Sequence, residues 1–213
     1  MDHLEEIVER IRKSFDVRTA SRDQALAQTR LITRYCANAI RAIHRDEQTH
    51  ARKNLNEAKK LAKSLQASLV KYPDLYFAGY TQDALKEYVE ANIAFALIQN
   101  KDLPEPEELG VEYATYLQGM AEATGELRRR CLDLLRNDHS KDAERLLSHM
   151  DDIYAILITM DYPDAITGGL RRLTDIVRGV TERTRGDLTI SLRQSQLEQS
   201  LHRLEESLSQ SKR

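Results

Sequence analysis

The first proline of the chain is Pro73, and only 4 prolines and 8 glycines occur in 213 residues. Proline removes a backbone donor and clashes with the preceding turn, so its absence over so long a stretch permits helices of unusual length. Leu4, Ile7, Val8, Ile11 and Phe15 recur at spacings of three and four, which marks one apolar helical face. The pattern resumes through Leu26, Ile32, Ile40 and Ile43. This predicts one long first helix, with Thr19-Ala20-Ser21 as its candidate break.

A second helix is predicted from about Glu47 to Val70. It ends at Lys71-Tyr72-Pro73-Asp74, because the residue before proline avoids the helical region. A third spans about Leu75 to Gln99, and Lys101-Asp102-Leu103-Pro104-Glu105-Pro106 is the clearest loop. A fourth covers about Val111 to Asn137. After a short turn, Asn137-Asp138-His139-Ser140, a fifth runs to about Met160. Asp161-Tyr162-Pro163-Asp164 opens a sixth towards Arg185, with Asp161 as its candidate N-cap. The tail keeps Leu192, Leu197, Leu201, Leu204 and Leu208 at three-, four- and five-residue spacings. Residues from about 200 to 213 are expected to fray. No strand pattern, repeat or low-complexity block occurs. The expectation is all-α: one domain over residues 1–213, an antiparallel bundle of about six to seven helices.

Charged residues make up 31% of the chain, yet the formal net charge is only -2. That excludes a protein that binds nucleic acid with its whole surface, so any phosphate-binding surface must be local. Cys36 and Cys131 fall inside helical patterns and read as buried free thiols of a reducing compartment. No apolar run is long enough to span a membrane. The acidic, amphipathic start MDHLEEIVER is unlike a signal peptide. These features point to the cytoplasm.

Two charge patterns stand out. In Leu85-Lys86-Glu87-Tyr88-Val89-Glu90-Ala91, Glu87 and Glu90 share one helical side, and Asp83 lies one turn earlier. Adjacent like charges repel, and a hard divalent cation such as Mg²⁺ would justify them through oxygen ligands. A solvated acidic face is the alternative. Apolar Tyr88, Val89, Ala91, Ile93, Ala94 and Phe95 surround the pair, which favours an interior position. Glu126, in Thr124-Gly125-Glu126-Leu127, and Asp151-Asp152 also lie on helices with apolar faces. The second pattern is Arg30, Arg34, Arg41 and Arg45, which fall within about 60° on a helical wheel. Such a stripe can follow a nucleic-acid backbone, or it can be a solvated, ion-paired face. His149, three residues before Asp152, reads as a surface histidine. Gly119 and Gly125 inside a helix suggest close contact with another helix, within a subunit or between subunits.

Several stretches resemble the translin and translin-associated factor X (TRAX) family. Gln82 to Phe95 is similar to the family's "QEYVEA" segment. Tyr113 to Arg130, YATYLQGMAEATGELRRR, is similar to its "YLLGVADLTGEL" helix. Leu146 to Tyr154 resembles "FLRQVYDGF", Ile43-His44-Arg45 resembles an "LHR" near the end of the first long helix, and Leu170 to Val177 follows a looser basic and apolar pattern. The resemblance covers about residues 20 to 195. It implies a translin-like fold assembled as a hollow homo-oligomer, an octamer in this family. The family's catalytic member cuts RNA with an acidic cluster holding Mg²⁺, with Mn²⁺ as the alternative ion. The resemblance places the cluster on Glu87, Glu90 and Asp152, or Asp151 if the register slips by one, with Glu126 beside it. Translin lacks the glutamate pair and binds without cutting. The resemblance therefore implies the catalytic type, an endoribonuclease for single-stranded RNA or short duplexes. The alternative is a non-catalytic oligomer binding single-stranded RNA or DNA.

Overall fold

The computed structural model describes residues 2–137 and 140–211. Among them are six long helices and three single-turn ones, and no strand. Helix α1, Asp2–His44, has no break. At the expected weak point Ser21 Oγ donates to the carbonyl of Val17, so its hydroxyl is satisfied within the helix. Such back-bonding to the preceding turn leaves the backbone ladder intact. Helix α2, Gln48–Leu69, returns along α1. Gln28 and Ser64 join the two at 3.0 Å.

The expected third helix is two. Helix α3 is the single turn Pro73–Tyr76, and α4 is Gly79–Ile98. Ala78 between them is extended, with φ -64° and ψ 143°. Thr81 Oγ1 and Gln82 Nε2 donate back to the carbonyls of Leu75 and Tyr76, so side chains of α4 satisfy the end of α3. Helix α5, Pro106–Leu109, follows the expected loop and ends at Gly110, whose φ of 68° suits glycine. Helices α6, Tyr113–Leu135, and α7, Ser140–Leu157, form an antiparallel pair. Asp138 and His139, half of the turn expected there, lie outside the described residues.

Asp161 caps no helix. It pairs with Arg171 at 2.9 Å instead. Helix α8, Asp164–Thr167, begins after Pro163, and the positive-φ pair Gly168 and Gly169 separates it from α9, Leu170–Ser211. The expected sixth helix and the leucine-bearing tail are thus one element, described as helix up to Ser211.

Helix α4 is the pillar of the bundle. Leu85, Tyr88, Val89, Ala91, Ile93 and Ala94 are buried, and α1, α2, α6 and α7 pack around it. Helices α4 and α6 run in the same direction: Gln82 meets Thr115 at 2.6 Å and Lys86 meets Glu122 at 2.8 Å. Gly119 permits their approach. A Cβ there would lie 2.6 Å from Val89 Cβ and 2.8 Å from the Lys86 carbonyl oxygen. At Gly125 a Cβ would meet nothing within 4 Å, so no contact inside the chain requires that glycine. Cys36 and Cys131 are buried and free. The two long helices expose apolar stripes: Leu4, Val8, Ile11 and Phe15 on α1, and Leu197, Leu201, Leu204 and Leu208 on α9.

Candidate active site: an acidic cluster between parallel helices

Because Gly119 brings α6 against α4, the residues one turn on face each other across the seam. Glu87 and Glu90 project from α4, Glu122 and Glu126 from α6, and all four are half-buried. Burial and like charge both act on them. Glu90 is held up to about 8, first by burial and then by Glu87, Glu122 and Glu126. Glu87 is raised as well, by burial and then by Glu122, with Lys86 opposing. These are the two causes that disfavour a carboxylate's charged form. The cluster reaches α1 too: burial raises the Cys36 thiol, and Glu87 and Glu90 raise it further.

Three basic side chains answer this charge. Lys86 Nζ lies 2.8 Å from Glu122 and 3.8 Å from Asp83. Burial alone would weaken its charge, but the hydrogen bond and charge of Glu122 outweigh that, and its amine rises above the ordinary lysine value. His44 Nε2, at the end of α1, is 2.5 Å from Glu126 Oε2. Arg129 Nη1 is 3.8 Å from the same oxygen and is largely exposed.

The structure brings together three of the residues singled out in the sequence, Glu87, Glu90 and Glu126. Asp152 is not among the charges that act on Glu87 or Glu90. Asp152 is exposed on α7, where its charge acts on His149. Asp151 is bound to Arg185 of α9. His149 is half-buried, and burial with nearby Arg145 pulls it below the usual histidine range against the pull of Asp152. The fourth member, Glu122, was missed, although it stands four residues before Glu126, one helical turn away on the same side.

Arg30, Arg34 and Arg41 on α1, and Arg45 in the turn just past its end, are all exposed. Among the described residues none of the four enters an ion pair, and Arg41 bonds Asn38. At about 100° per residue they lie roughly opposite the buried Ile32, Cys36, Ala39 and Ile43. The stripe therefore faces away from the carboxylates within one chain.

Chemically, four carboxylates offer hard oxygen donors, and their mutual repulsion is what a divalent cation relieves. The donor set fits Mg²⁺ or Mn²⁺. Among the described residues, however, no three such donors already converge as a metal-holding group. Lys86 holds Glu122 and His44 holds one oxygen of Glu126, so seating an ion requires Glu122 to turn from Lys86 and the carboxylates to draw together.

An all-helical bundle with a half-buried acidic cluster on two parallel helices defines the class, and comparison with known proteins supplies the family. No protein-family model matches the chain. An uncharacterized protein of Methanocaldococcus jannaschii is 35% identical over 191 residues, 89% of this chain and 84% of that protein. The solved AfC3PO in complex with duplex RNA is 33% identical, with a TM-score of 0.81 over 86% of this chain and 95% of that one. A further AfC3PO structure gives 32% identity and a TM-score of 0.79. Apo-NeC3PO, at 22% identity and a TM-score of 0.80, shares the fold. The chain belongs to the translin family, to which these C3PO proteins belong.

Proposed function

We propose that the protein is a Mg²⁺-dependent endoribonuclease acting on single-stranded RNA or short RNA duplexes, working as a homo-oligomer. The observation that carries this reading is the crowding of Glu87, Glu90, Glu122 and Glu126. Crowding four half-buried carboxyl groups disfavours their charged forms and pushes Glu90 to about 8, and such perturbation gathers at functional sites. A relative at 33% identity solved with duplex RNA supports RNA as the partner.

In this reading Glu87, Glu90, Glu122 and one oxygen of Glu126 hold the ion. Mg²⁺, when bound, supplies an activated water and neutralises charge on the leaving oxygen of a phosphodiester. Mn²⁺ would serve through the same oxygens. The half-buried seam of α4 and α6 orients these carboxylates. Arg129, exposed beside Glu126, is placed to contact a phosphate of the bound strand. The arginine stripe of α1 lies on another face and would guide RNA between subunits rather than over the cluster of its own chain. The exposed apolar stripes of α1 and α9 support assembly, with eight subunits as the count to test by light scattering. No helix among the described residues is long and apolar enough to cross a membrane. The reading keeps the protein in the cytoplasm.

The absence of a converged donor group among the described residues favours a second reading, a non-catalytic binder of single-stranded RNA or DNA. One experiment separates them. Labelled single-stranded RNA and a short duplex are incubated with the protein in Mg²⁺, in Mn²⁺ and in EDTA, and retention and cleavage are both measured. Cleavage in the metals that stops in EDTA supports the nuclease. Retention without cleavage under every condition leaves the binder.

A further inference from the structure

We propose that His44 is a positioning residue for the acidic cluster: its Nε2–H fixes Glu126 Oε2 and leaves Oε1 as the oxygen free to take a divalent cation. The inference rests on the metal-site reading above and adds a residue to it from a third helix.

His44 sits in the last turn of α1, with its side chain only 5% exposed. Its Nε2 is 2.5 Å from Glu126 Oε2, across 82 positions of sequence. In the proposed arrangement Glu126 accepts this bond and Nε2 carries the proton. Nδ1 is buried without a hydrogen-bond partner, and Asp133 Oδ2 stands 3.9 Å away. The His44 side chain borders a polar pocket of about 480 Å³ that Asp46, Arg130, Asp133, Arg136 and Asn137 also line. Nε2 is satisfied by Glu126, and the only acid near Nδ1 among the described ion pairs is Asp133. The chain Asp133, His44, Glu126 has the form of a ligand with its supporting partners, in which the outer groups hold the inner oxygen in place.

Little else holds Glu126. Arg129 approaches to 3.8 Å, but its side chain is 55% exposed and free to leave. The competing explanation is a staple that joins α1 to α6 and matters for folding alone. The two differ in what a substitute side chain restores. Gln reaches about as far as Nε2 and carries an N–H, whereas Ala carries none.

The test uses the full chain. Mn²⁺ binding is measured without RNA, by calorimetry and by the spin signal of the free ion, for wild type, His44→Ala and His44→Gln. Thermal unfolding is followed beside it, and RNA cleavage is titrated with Mg²⁺. His44→Ala is expected to weaken Mn²⁺ binding by about 10-fold or more, in the range seen when a ligand loses its outer partner. The half-saturating Mg²⁺ concentration for cleavage should rise by a similar factor, with cleavage at saturating Mg²⁺ close to wild type. His44→Gln should recover most of the affinity. Wild-type Mn²⁺ affinity in a folded His44→Ala, or equal weakening by Ala and Gln, overturns the proposal while leaving the metal site standing. Failure of the wild-type chain itself to bind Mn²⁺ overturns both. Should His44→Ala not fold, His44→Asn takes its place, being polar but too short to reach Oε2.

Discussion

Two charged regions of this bundle obey opposite rules. The arginines of α1 stand in water with no ion-pair partner among the described residues, and water screens them. Such charges cost little wherever they lie, so the stripe alone says nothing about necessity. The carboxylates of α4 and α6 are half-buried and crowd one another until Glu90 is held at about 8. Charge kept where it opposes folding needs a reason beyond the fold. The comparison ranks the two regions as sites: chemistry belongs with the buried acids, and delivery of a polyanion with the exposed bases.

The largest effect should come from removing the buried acids. A Glu87→Gln, Glu90→Gln double variant is expected to lose on the order of 10³-fold in cleavage rate, about 4 kcal/mol of transition-state stabilisation. RNA retention should stay close to wild type. Asp152→Asn, exposed on α7, should leave cleavage within about 3-fold, an effect below about 1 kcal/mol. If Asp152→Asn is as damaging as the glutamate pair, the cluster has the wrong third acid.

A smaller effect is expected from the exposed bases, and of another kind. Replacing Arg30, Arg34, Arg41 and Arg45 together with Ala should weaken single-stranded RNA binding by about 10- to 100-fold at low salt. The dependence of log affinity on log salt should become shallower by roughly 0.7 for each phosphate that the variant no longer neutralises. Cleavage at saturating RNA should hold. Unchanged binding with an unchanged salt slope would make the stripe a solvated face and no more.

The sequence announced these two regions unequally. Long helices were legible because breakers are scarce and apolar spacing is regular. The splits at Ala78 and at Gly168–Gly169 were not, since each depends on backbone angles that the surrounding helix formers conceal. Asp161 has the chemistry of a cap, but Arg171 competes for its carboxylate. Glu87 and Glu90 were visible as a pair in an apolar helix. Glu122 was not, because its importance comes from the parallel pairing of α4 and α6. Gly119, read as a sign of close contact, was the trace of that pairing. The arginine stripe was legible as a stripe. That it lies away from the acids emerged only once the opposite side of α1 was seen buried.

The smallest effect turns the comparison into a pH measurement. An isolated glutamate has a value of 4.5, whereas folded Glu90 is raised to about 8 by burial and by Glu87, Glu122 and Glu126. The folded chain therefore keeps a proton that the unfolded chain releases between about 4.5 and about 8. Where the native state binds more protons, stability falls as pH rises. The contribution of protonated Glu90 is fully present below about 4.5 and lost as pH climbs through about 8. Glu90→Gln stays neutral throughout. In EDTA it should unfold at the wild-type temperature near pH 4.5 and a few degrees above it at pH 8.5. Sharing of charge among four carboxylates and solvent at the seam reduce the gain to about 1–2 kcal/mol, or roughly 2–4 °C for each kcal/mol in a chain of this size. Neutralising an exposed arginine of α1 should give no such pH-dependent gain. A Glu90→Gln difference that is the same at both pH values would mean that its carboxylate is as well solvated as the stripe, and the contrast between the two regions would collapse.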